Sequence, residues 1–311
     1  MFKGFTLAKY KLKIKAEERL YLPMYMGSTL RGGFGTAFRR IVCFNRENIC
    51  QDCILREKCV YSYIFETSPP KDSKNLKKNN DIPRPFIIEP PLNEKREYNE
   101  GEILEFGFTL IGKAIEYLPY FIVTFKELGS IGLGKGRGRY SLEGMSIDGD
   151  EIYSSDGILR ETQKRINEDE IIAEAGTYPK DRLTIEFITP TRMKYNERCI
   201  NLPEFHVLIR SLLSRISSLS YFHCHEELSL DYKGIIERAE RVKIKENQTE
   251  WYDWERYSSR QDTKMNLGGI VGKVTYQGNM EEFLPLIALG SYVHAGKGAT
   301  FGLGKYEVWK D

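Results

Sequence analysis

Four cysteines fall within seventeen residues, in the spacing Cys43-x6-Cys50-x2-Cys53-x5-Cys59. Thiolates suit zinc because the ion is borderline-soft and takes four ligands in a tetrahedron. The close Cys50–Cys53 pair would form the tight half of such a site and the flanking cysteines would close it. No histidine stands near, so the predicted site is a closed, structural four-thiolate zinc, with an iron–sulfur cluster as the less favoured occupant. Free thiols remain the simpler alternative. Of the other two cysteines, Cys199 reads as a packing residue. Cys224, between His223 and His225, is open between packing and a second metal.

Two glycine-rich runs carry a different chemistry. Residues 128–140 read LGSIGLGKGRGRY and residues 289–306 read LGSYVHAGKGATFGLGKY. Both contain Gly-Lys-Gly, and both end in Gly-basic-Tyr, at Gly138-Arg139-Tyr140 and Gly304-Lys305-Tyr306. Glycine lets a backbone approach a ligand closely, and successive amides can face phosphate oxygens. Neither run is a Walker loop, because no Ser or Thr follows the lysine. Neither is a good dinucleotide fingerprint, which needs a following helix and an acidic partner. The paired loops suggest two related modules that meet an anionic backbone.

General acid–base chemistry has few candidates. The chain has four histidines, His206, His223, His225 and His294. His206 shares a helix face with Arg210 and Ser214 at four-residue steps, a pattern suited to a phosphate or to a plain solvated face. His294 stands three residues before Lys297 at the mouth of the second loop. His223 and His225 follow the helix stripe, and could bind a ligand, join Cys224, or end the helix.

The elements that must position these residues follow from periodicity. Residues 7–16, LAKYKLKIKA, alternate as a strand with one wet, basic face. Ser28 or Thr29 can cap a helix through Leu30, Phe34, Ala37, Phe38 and Ile41. Gly32, Gly33 and Gly35 weaken that helix by ~1 kcal/mol each, so a packed neighbour or a bound backbone should need their smallness. Residues 103–110 form a strand, and 115–128 a helix whose Leu118-Pro119 parallels Leu284-Pro285.

The second half repeats the plan. A strand covers 182–187, and Pro203 opens a helix with the stripe Phe205, Leu208, Ile209, Leu212, Leu213, Ile216 and Leu219. A strand over 268–276, a helix over 280–292, the loop and a strand over 305–309 follow. Strand, helix, strands, helix, strand is the ferredoxin-like order. The predicted class is α+β, as tandem ferredoxin-like (RRM-like) modules, each with an antiparallel sheet and two helices. One mixed α/β domain with coincidental glycine loops is the alternative. The predicted division is a first domain over 1–145, carrying the four-cysteine insertion (43–59) and an exposed loop (68–85). An acidic linker over 146–180 and a second domain over 181–311 complete it.

Composition sets the class. Hydrophobic residues make up 41% and aromatic residues 12% of the 311, enough for folded domains. The net charge is only +2, but residues 1–65 hold twelve Lys or Arg against five acids, and 141–180 hold four against ten. One basic face fits a polyanion, and ordinary scatter of solvated charge fits equally. No secretory leader pattern and no membrane-length apolar run stand out, so a cytoplasmic location without membrane contact is expected.

The C-terminal string carries a family resemblance. It runs Gly268-Gly269-x-x-Gly272-Lys273-Val274-x-Tyr276, Leu284-Pro285 to Leu289-Gly290, then Val293-His294-x-Gly296-Lys297-Gly298-x-Thr300-Phe301-Gly302-Leu303-Gly304-Lys305-Tyr306. This resembles the CRISPR precursor-RNA processing endoribonucleases of the RAMP superfamily, closely over residues 251–309. The segment Trp254 to Gln261 fits the same region, and the cysteine segment and Gly27 to Arg40 are similar to a subset of members. The resemblance implies two ferredoxin-like domains holding RNA. It also implies metal-independent cleavage of CRISPR repeat RNA into guides, leaving 2′,3′-cyclic phosphate and 5′-hydroxyl ends. Such cleavage needs a base, an acid and positive charge on the phosphate.

Many members carry a histidine in or near the first helix of the first domain, and this chain has none before His206. The chemistry then falls to His206 or His294, to His223 or His225, or to a Tyr/Lys/Arg set in which Tyr25, Arg39 and Arg40 flank the first helix. Backbone contacts are expected from Lys135, Arg137, Arg139, Lys297 and Lys305 on the loops, and from Arg256, Arg260, Lys264 and Lys273 on the middle strands. Tyr257, Tyr276 and Phe301 could stack on bases or sit in the core. Three readings result: a CRISPR endoribonuclease, a noncatalytic RNA-binding subunit of a CRISPR effector complex, and a zinc-stabilised scaffold. CRISPR effector subunits are expected partners of the first two.

Overall fold

The computed structural model describes residues 1–44, 50–67, 82–253, 255–258 and 263–310, with 255–258 and 263–266 as backbone. It divides into two compact α+β units, one of Thr6–Arg165 with Phe222–Cys224, the other of Met1–Phe5, Ile166–Tyr221 and His225–Asp311.

In the first unit the alternating segment forms β1 (Leu7–Ala16). Tyr10, Leu12 and Ile14 are buried while Lys11, Lys13 and Lys15 face out. Then come β2 (Leu20–Tyr21), α1 (Gly27–Val42), α2 (Val60–Phe65), β3 (Phe86–Glu89), β4 (Glu97–Tyr98) and β5 (Ile103–Ile111). After these follow α3 (Leu118–Ile131), β6 (Tyr140–Ile147) and β7 (Asp150–Ser154). The sheet order is β3-β5-β1-β6-β7, all antiparallel, and β2 pairs with β4 apart from it.

Helix α1 starts one residue ahead of the expected caps. Met26 is its N-cap and no side chain bonds the first amides. Two of its three glycines answer to packed neighbours. A Cβ on Gly33 would lie 2.9 Å from Leu128 Cδ1 and one on Gly35 2.7 Å from the Phe65 ring, whereas Gly32 faces open space. The helix is thereby drawn against α3 and α2. Phe34 lies between them, its ring 4.9 Å from Phe121, 4.8 Å from Phe125 and 5.8 Å from Phe65. Such aromatic contacts are worth ~0.5–1.5 kcal/mol each beyond area burial.

The second unit contains α4 (Glu168–Ala175), β8 (Arg182–Thr191), β9 (Lys194–Tyr195), β10 (Arg198–Cys199), α5 (Phe205–His223) and α6 (Tyr232–Ala239). It continues through β11 (Lys243–Tyr252), β12 (Glu255–Ser258), β13 (Thr263–Asn266), β14 (Gly269–Gln277), α7 (Leu284–Val293) and β15 (Tyr306–Trp309). Its main sheet runs β11-β14-β8-β15. Numbered within each unit, β11-β14-β8-β15 and β3-β5-β1-β6 are both the order second, third, first, fourth. Every residue of the predicted α5 stripe is buried.

The stretch 146–180, expected as an acidic linker, is built into both units. Strand β7 extends the first sheet by pairing with β6, and α4 belongs to the second unit. Helix α4 starts from a capping box: the Asn167 side chain accepts from the Asp169 and Glu170 amides, and Glu170 accepts from the Asn167 amide. Three acids in its first turn suit the positive end of the helix. The first five residues also depart from the expected division. The Phe2 amide donates to Glu168 at 2.7 Å and the Met1 ammonium pairs with the same carboxylate, which ties this segment to α4. Of the expected exposed loop 68–85, residues 68–81 lie outside the described residues, and Ile82, at its end, is buried.

A matched lock joins a helix to the strand that follows it in each unit, α3 to β6 and α7 to β15. The Tyr140 hydroxyl donates to the Phe125 carbonyl of α3 at 2.9 Å, and that of Tyr306 to the Ile287 carbonyl of α7 at 2.6 Å. Each tyrosine passes over a helix glycine. A Cβ on Gly129 would lie 2.2 Å from the Tyr140 carbonyl oxygen, and one on Gly290 2.2 Å from the Tyr306 hydroxyl. Gly290→Ala is expected to lower unfolding free energy by ~1–3 kcal/mol, the cost of overpacking. A denaturant titration with an unchanged midpoint would contradict this fit.

Candidate nucleic-acid interface

The two glycine loops are built alike from the backbone upward. In the first unit the Lys135 amide donates to the Tyr21 carbonyl at 2.9 Å. In the second the Lys297 amide donates to the Arg192 carbonyl at 3.0 Å. The glycine before each lysine has nearly the same backbone, with φ of 76° at Gly134 and 74° at Gly296. A Cβ there would meet the same two carbonyl oxygens, at 2.2 and 2.4 Å. Only glycine combines that left-handed conformation with that approach. Each loop is thus pinned to the segment that follows the first strand of its own sheet.

The pinning turns the charged side chains outward. Lys135, Arg137 and Lys297 are exposed, and Arg137 itself adopts a φ of 53° at the loop tip. Arg139 is also exposed, but its guanidinium is paired with Glu18 at 2.8 Å. Bonds from Arg139 to Glu18, first from its backbone amide and then from its side chain, hold that carboxyl below the usual range. Lys305 acts through its backbone: its amide donates to Thr189 and its carbonyl accepts from Ile188 and Thr189.

Lys273 stands on β14 with its ammonium 3.5 Å over the Trp309 ring and 3.8 Å from Glu186, whose carboxylate also accepts the Trp309 indole N–H at 2.9 Å. Arg256 lies on β12 and Lys264 on β13 of a hairpin, paired with Met265 and Tyr257. Arg260 lies outside the described residues. Tyr276 is a core residue whose hydroxyl donates to the Pro203 carbonyl at 2.6 Å.

The candidates for acid–base chemistry occupy separate places. His294 is 1% exposed and caps α7 with a φ of 63°. Its Nδ1 faces the Leu303 carbonyl at 3.0 Å, so that nitrogen carries the proton and orders the loop from within. His223 is fully buried, with Nε2 2.8 Å from the Pro83 carbonyl and Nδ1 3.1 Å from the Tyr63 hydroxyl. It is a core histidine of the first unit. His225 is exposed with a φ of 57°, and Cys224 packs beside Gly112.

Tyr25 precedes α1. Burial, then the Glu89 carboxylate, pushes its phenol far above the ordinary tyrosine range, so at neutral pH it keeps its proton. Arg39 lies 5.9 Å from the Tyr61 ring centroid, and Arg40 pairs with Glu127 at 3.1 Å.

His206 is the histidine beside exposed cations. It opens α5, 3.8 Å from Glu204, with its ring edge-on to Tyr195 at 5.3 Å. Arg210, one turn on, lies 5.6 Å from the same ring. Tyr195 was not among the sequence candidates. The next residue, Ser211, accepts the Gly296 amide at 3.2 Å and so ties this turn to the second loop. Ser214, the next residue on that four-residue step of α5, is exposed, and its carbonyl accepts from the Ser218 hydroxyl.

Cys43 caps the C-terminus of α1, Cys50 opens a short 3₁₀ turn, and Cys59 caps the start of α2. No disulfide joins any two of the six cysteines. The Cys50 thiol is pushed up by burial first and then by Glu66, with smaller contributions from Cys43 and Cys59. Among the described residues no three His, Cys, Asp or Glu side chains are grouped as ligands of one ion. Among them, too, no helix is long and apolar enough to cross a membrane.

Comparison with known proteins covers both units. Residues 5–171 match an N-terminal domain family, AF_1859_N, and residues 185–306 match the CRISPR-associated endoribonuclease Cas6 family. An uncharacterized protein of Archaeoglobus fulgidus is 23% identical over 319 residues, spanning 98% of this chain and 99% of the relative. Among solved structures, a Cas6 product complex superposes with a TM-score of 0.60 at 15% identity, covering 97% of this chain and 100% of that one. Thermus thermophilus Cas6 does so with 0.56 at 14% identity, covering 98% and 99%. A partial Cas6-RT-Cas1–Cas2 complex gives 0.58 at 15% identity, covering 98% of this chain and 46% of that one. These structures share the fold. The chain thus carries an AF_1859_N domain over more than half of its length, followed by a segment over residues 185–306 that matches the CRISPR-associated endoribonuclease Cas6 family.

Proposed function

We propose that this protein is a metal-independent endoribonuclease that cuts CRISPR repeat RNA into guide RNAs. The observation that carries the reading is the pair of equivalent loops, each pinned through a Gly-Lys amide, that hold Lys135, Arg137 and Lys297 out to solvent. The shared strand order supports taking both units as ferredoxin-like modules. In the reaction the RNA 2′-hydroxyl attacks the adjacent phosphorus and gives its proton to a base. The 5′ oxygen leaves and takes a proton from an acid, giving 2′,3′-cyclic phosphate and 5′-hydroxyl ends. Lysine and arginine near the phosphate offset the charge that builds on its oxygens.

The histidine placements favour a second reading, a noncatalytic RNA-binding subunit of a CRISPR effector complex. His223 and His294 are buried, which leaves His206 and His225 as the accessible imidazoles. The Cas6 portion of a Cas6-RT-Cas1–Cas2 complex has this fold, and that supports other CRISPR proteins as partners in either reading.

Labelled repeat RNA incubated with the protein in EDTA separates the two. A product with a 2′,3′-cyclic end is expected of the enzyme, and tight binding without a cut across several repeats would favour the binder. Replacing Lys135 and Arg137 together with alanine should lower the slope of log affinity against log salt by about 1.4 units on single-stranded RNA, two phosphate contacts at ~0.7 each. An unchanged slope would remove the first loop from the interface.

Zinc held by Cys43, Cys50, Cys53 and Cys59 is a separate proposal about the segment between α1 and α2. Metal analysis should give about one zinc per chain, and less than about half an equivalent would overturn it.

A further inference from the structure

The hairpin that precedes α5 has no part in the loop scaffold, yet it presents the chemistry of a nucleotide site. Strand β8 ends at Thr191, Met193 is buried, and β9 and β10 then pair Lys194 with Cys199 and Tyr195 with Arg198. The turn is Asn196-Glu197, with φ of 48° and 65°. Two positive φ values make a tight two-residue turn whose twist suits the hairpin. The Ile200 amide donates to the Met193 carbonyl at 3.2 Å and closes the base. Farther along, the Tyr276 hydroxyl holds the Pro203 carbonyl at the entry to α5. A short, anchored hairpin therefore presents Tyr195 at a fixed place.

Tyr195 is half-exposed, braced at 80° by the His206 ring and flanked by the Arg210 guanidinium. Lys194, Arg198 and Arg210 are exposed and make no salt bridge among the described residues. Glu197 and Glu204 are the nearby acids along the chain, and Glu204 sits beside His206. Structural packing alone would not call for a half-open aromatic ring with an exposed guanidinium 5.6 Å away and Arg198 directly opposite it in the hairpin. Lys297 adds a further exposed cation from the loop tied to Arg192 and Ser211.

We propose that Tyr195, braced by His206, is a stacking platform for one unpaired base of RNA, with Arg210 taking the phosphate beside that base. Every base has a π-face, so such a platform selects unpaired nucleotides over a particular sequence. Lys194 and Arg198 extend the cationic edge along the hairpin. This inference rests on the RNA reading above and names a contact within it.

The test is binding of a labelled single-stranded repeat RNA across several salt concentrations. Tyr195→Ala should weaken binding ~5- to 150-fold, the usual effect of losing one base–aromatic stack, while Tyr195→Phe retains it. Arg210→Gln should lower the salt slope by about 0.7. Because Tyr195→Ala could loosen the hairpin, the unaltered protein is also photocrosslinked to 5-iodouridine RNA, and the crosslink should map to the peptide containing Tyr195. RNA binding that survives Tyr195→Ala, with crosslinks only elsewhere, overturns the platform and leaves the RNA reading standing. Failure of the unaltered protein to bind any RNA overturns both.

Discussion

The contact on which most of this structure turns is small: one backbone amide, that of the lysine in Gly-Lys-Gly, donating to one carbonyl just beyond the first strand of its sheet. In each unit it joins distant parts of the chain, because the loop lies between α3 and β6, or α7 and β15, while the carbonyl lies just after the first strand. Buried backbone groups are seldom left unpaired, so the loop cannot drift from its strand without losing that partner. The glycine ahead of the lysine is what allows the approach. The tyrosine that follows then crosses a second glycine, in the helix, to reach a helix carbonyl. Two glycines and one phenol thus fix the backbone of a loop that keeps Lys135 and Arg137 in one unit, and Lys297 in the other, exposed.

This division of labour sorts the basic residues. Those whose backbones do the pinning, Lys135 and Lys297, keep exposed side chains. Arg139 is engaged with Glu18, and Lys273 with Trp309 and Glu186. A phosphate that binds such a cation must first compete with an existing carboxylate. Exposed surface pairs are weak, on the order of 0–1 kcal/mol, so that competition is mild.

The loops, the Leu-Pro helix starts and the terminal tyrosines were legible in the sequence because each occurs twice, and repetition separates a constraint from chance. The long stripe of α5 was legible because its period is that of a helix. Tyr195 was not, since Asn196-Glu197 lacks the glycine that usually marks a two-residue turn, and its strands are two residues long. Helix α4 hid inside an acid-rich stretch, although Asn167 and Glu170 carry the capping spacing. The burial of His223 and His294 was invisible for a different reason. Each sits where an element ends, and periodicity says nothing about what covers an end. The pairing of Met1–Phe5 with α4 joins residues more than 160 positions apart, and no local pattern encodes it.

Duplication within one chain also changes what can vary. The groups that hold each loop, a glycine, a backbone amide and a buried tyrosine, leave almost no choice of residue. The cations Lys135, Arg137 and Lys297 stand exposed on that scaffold. One loop could therefore lose its charge, or exchange it for a stacking or catalytic group, while the other kept its cations. Two loops that began alike are free to specialise, with the chemistry of each decided at its tip and its architecture fixed at its root.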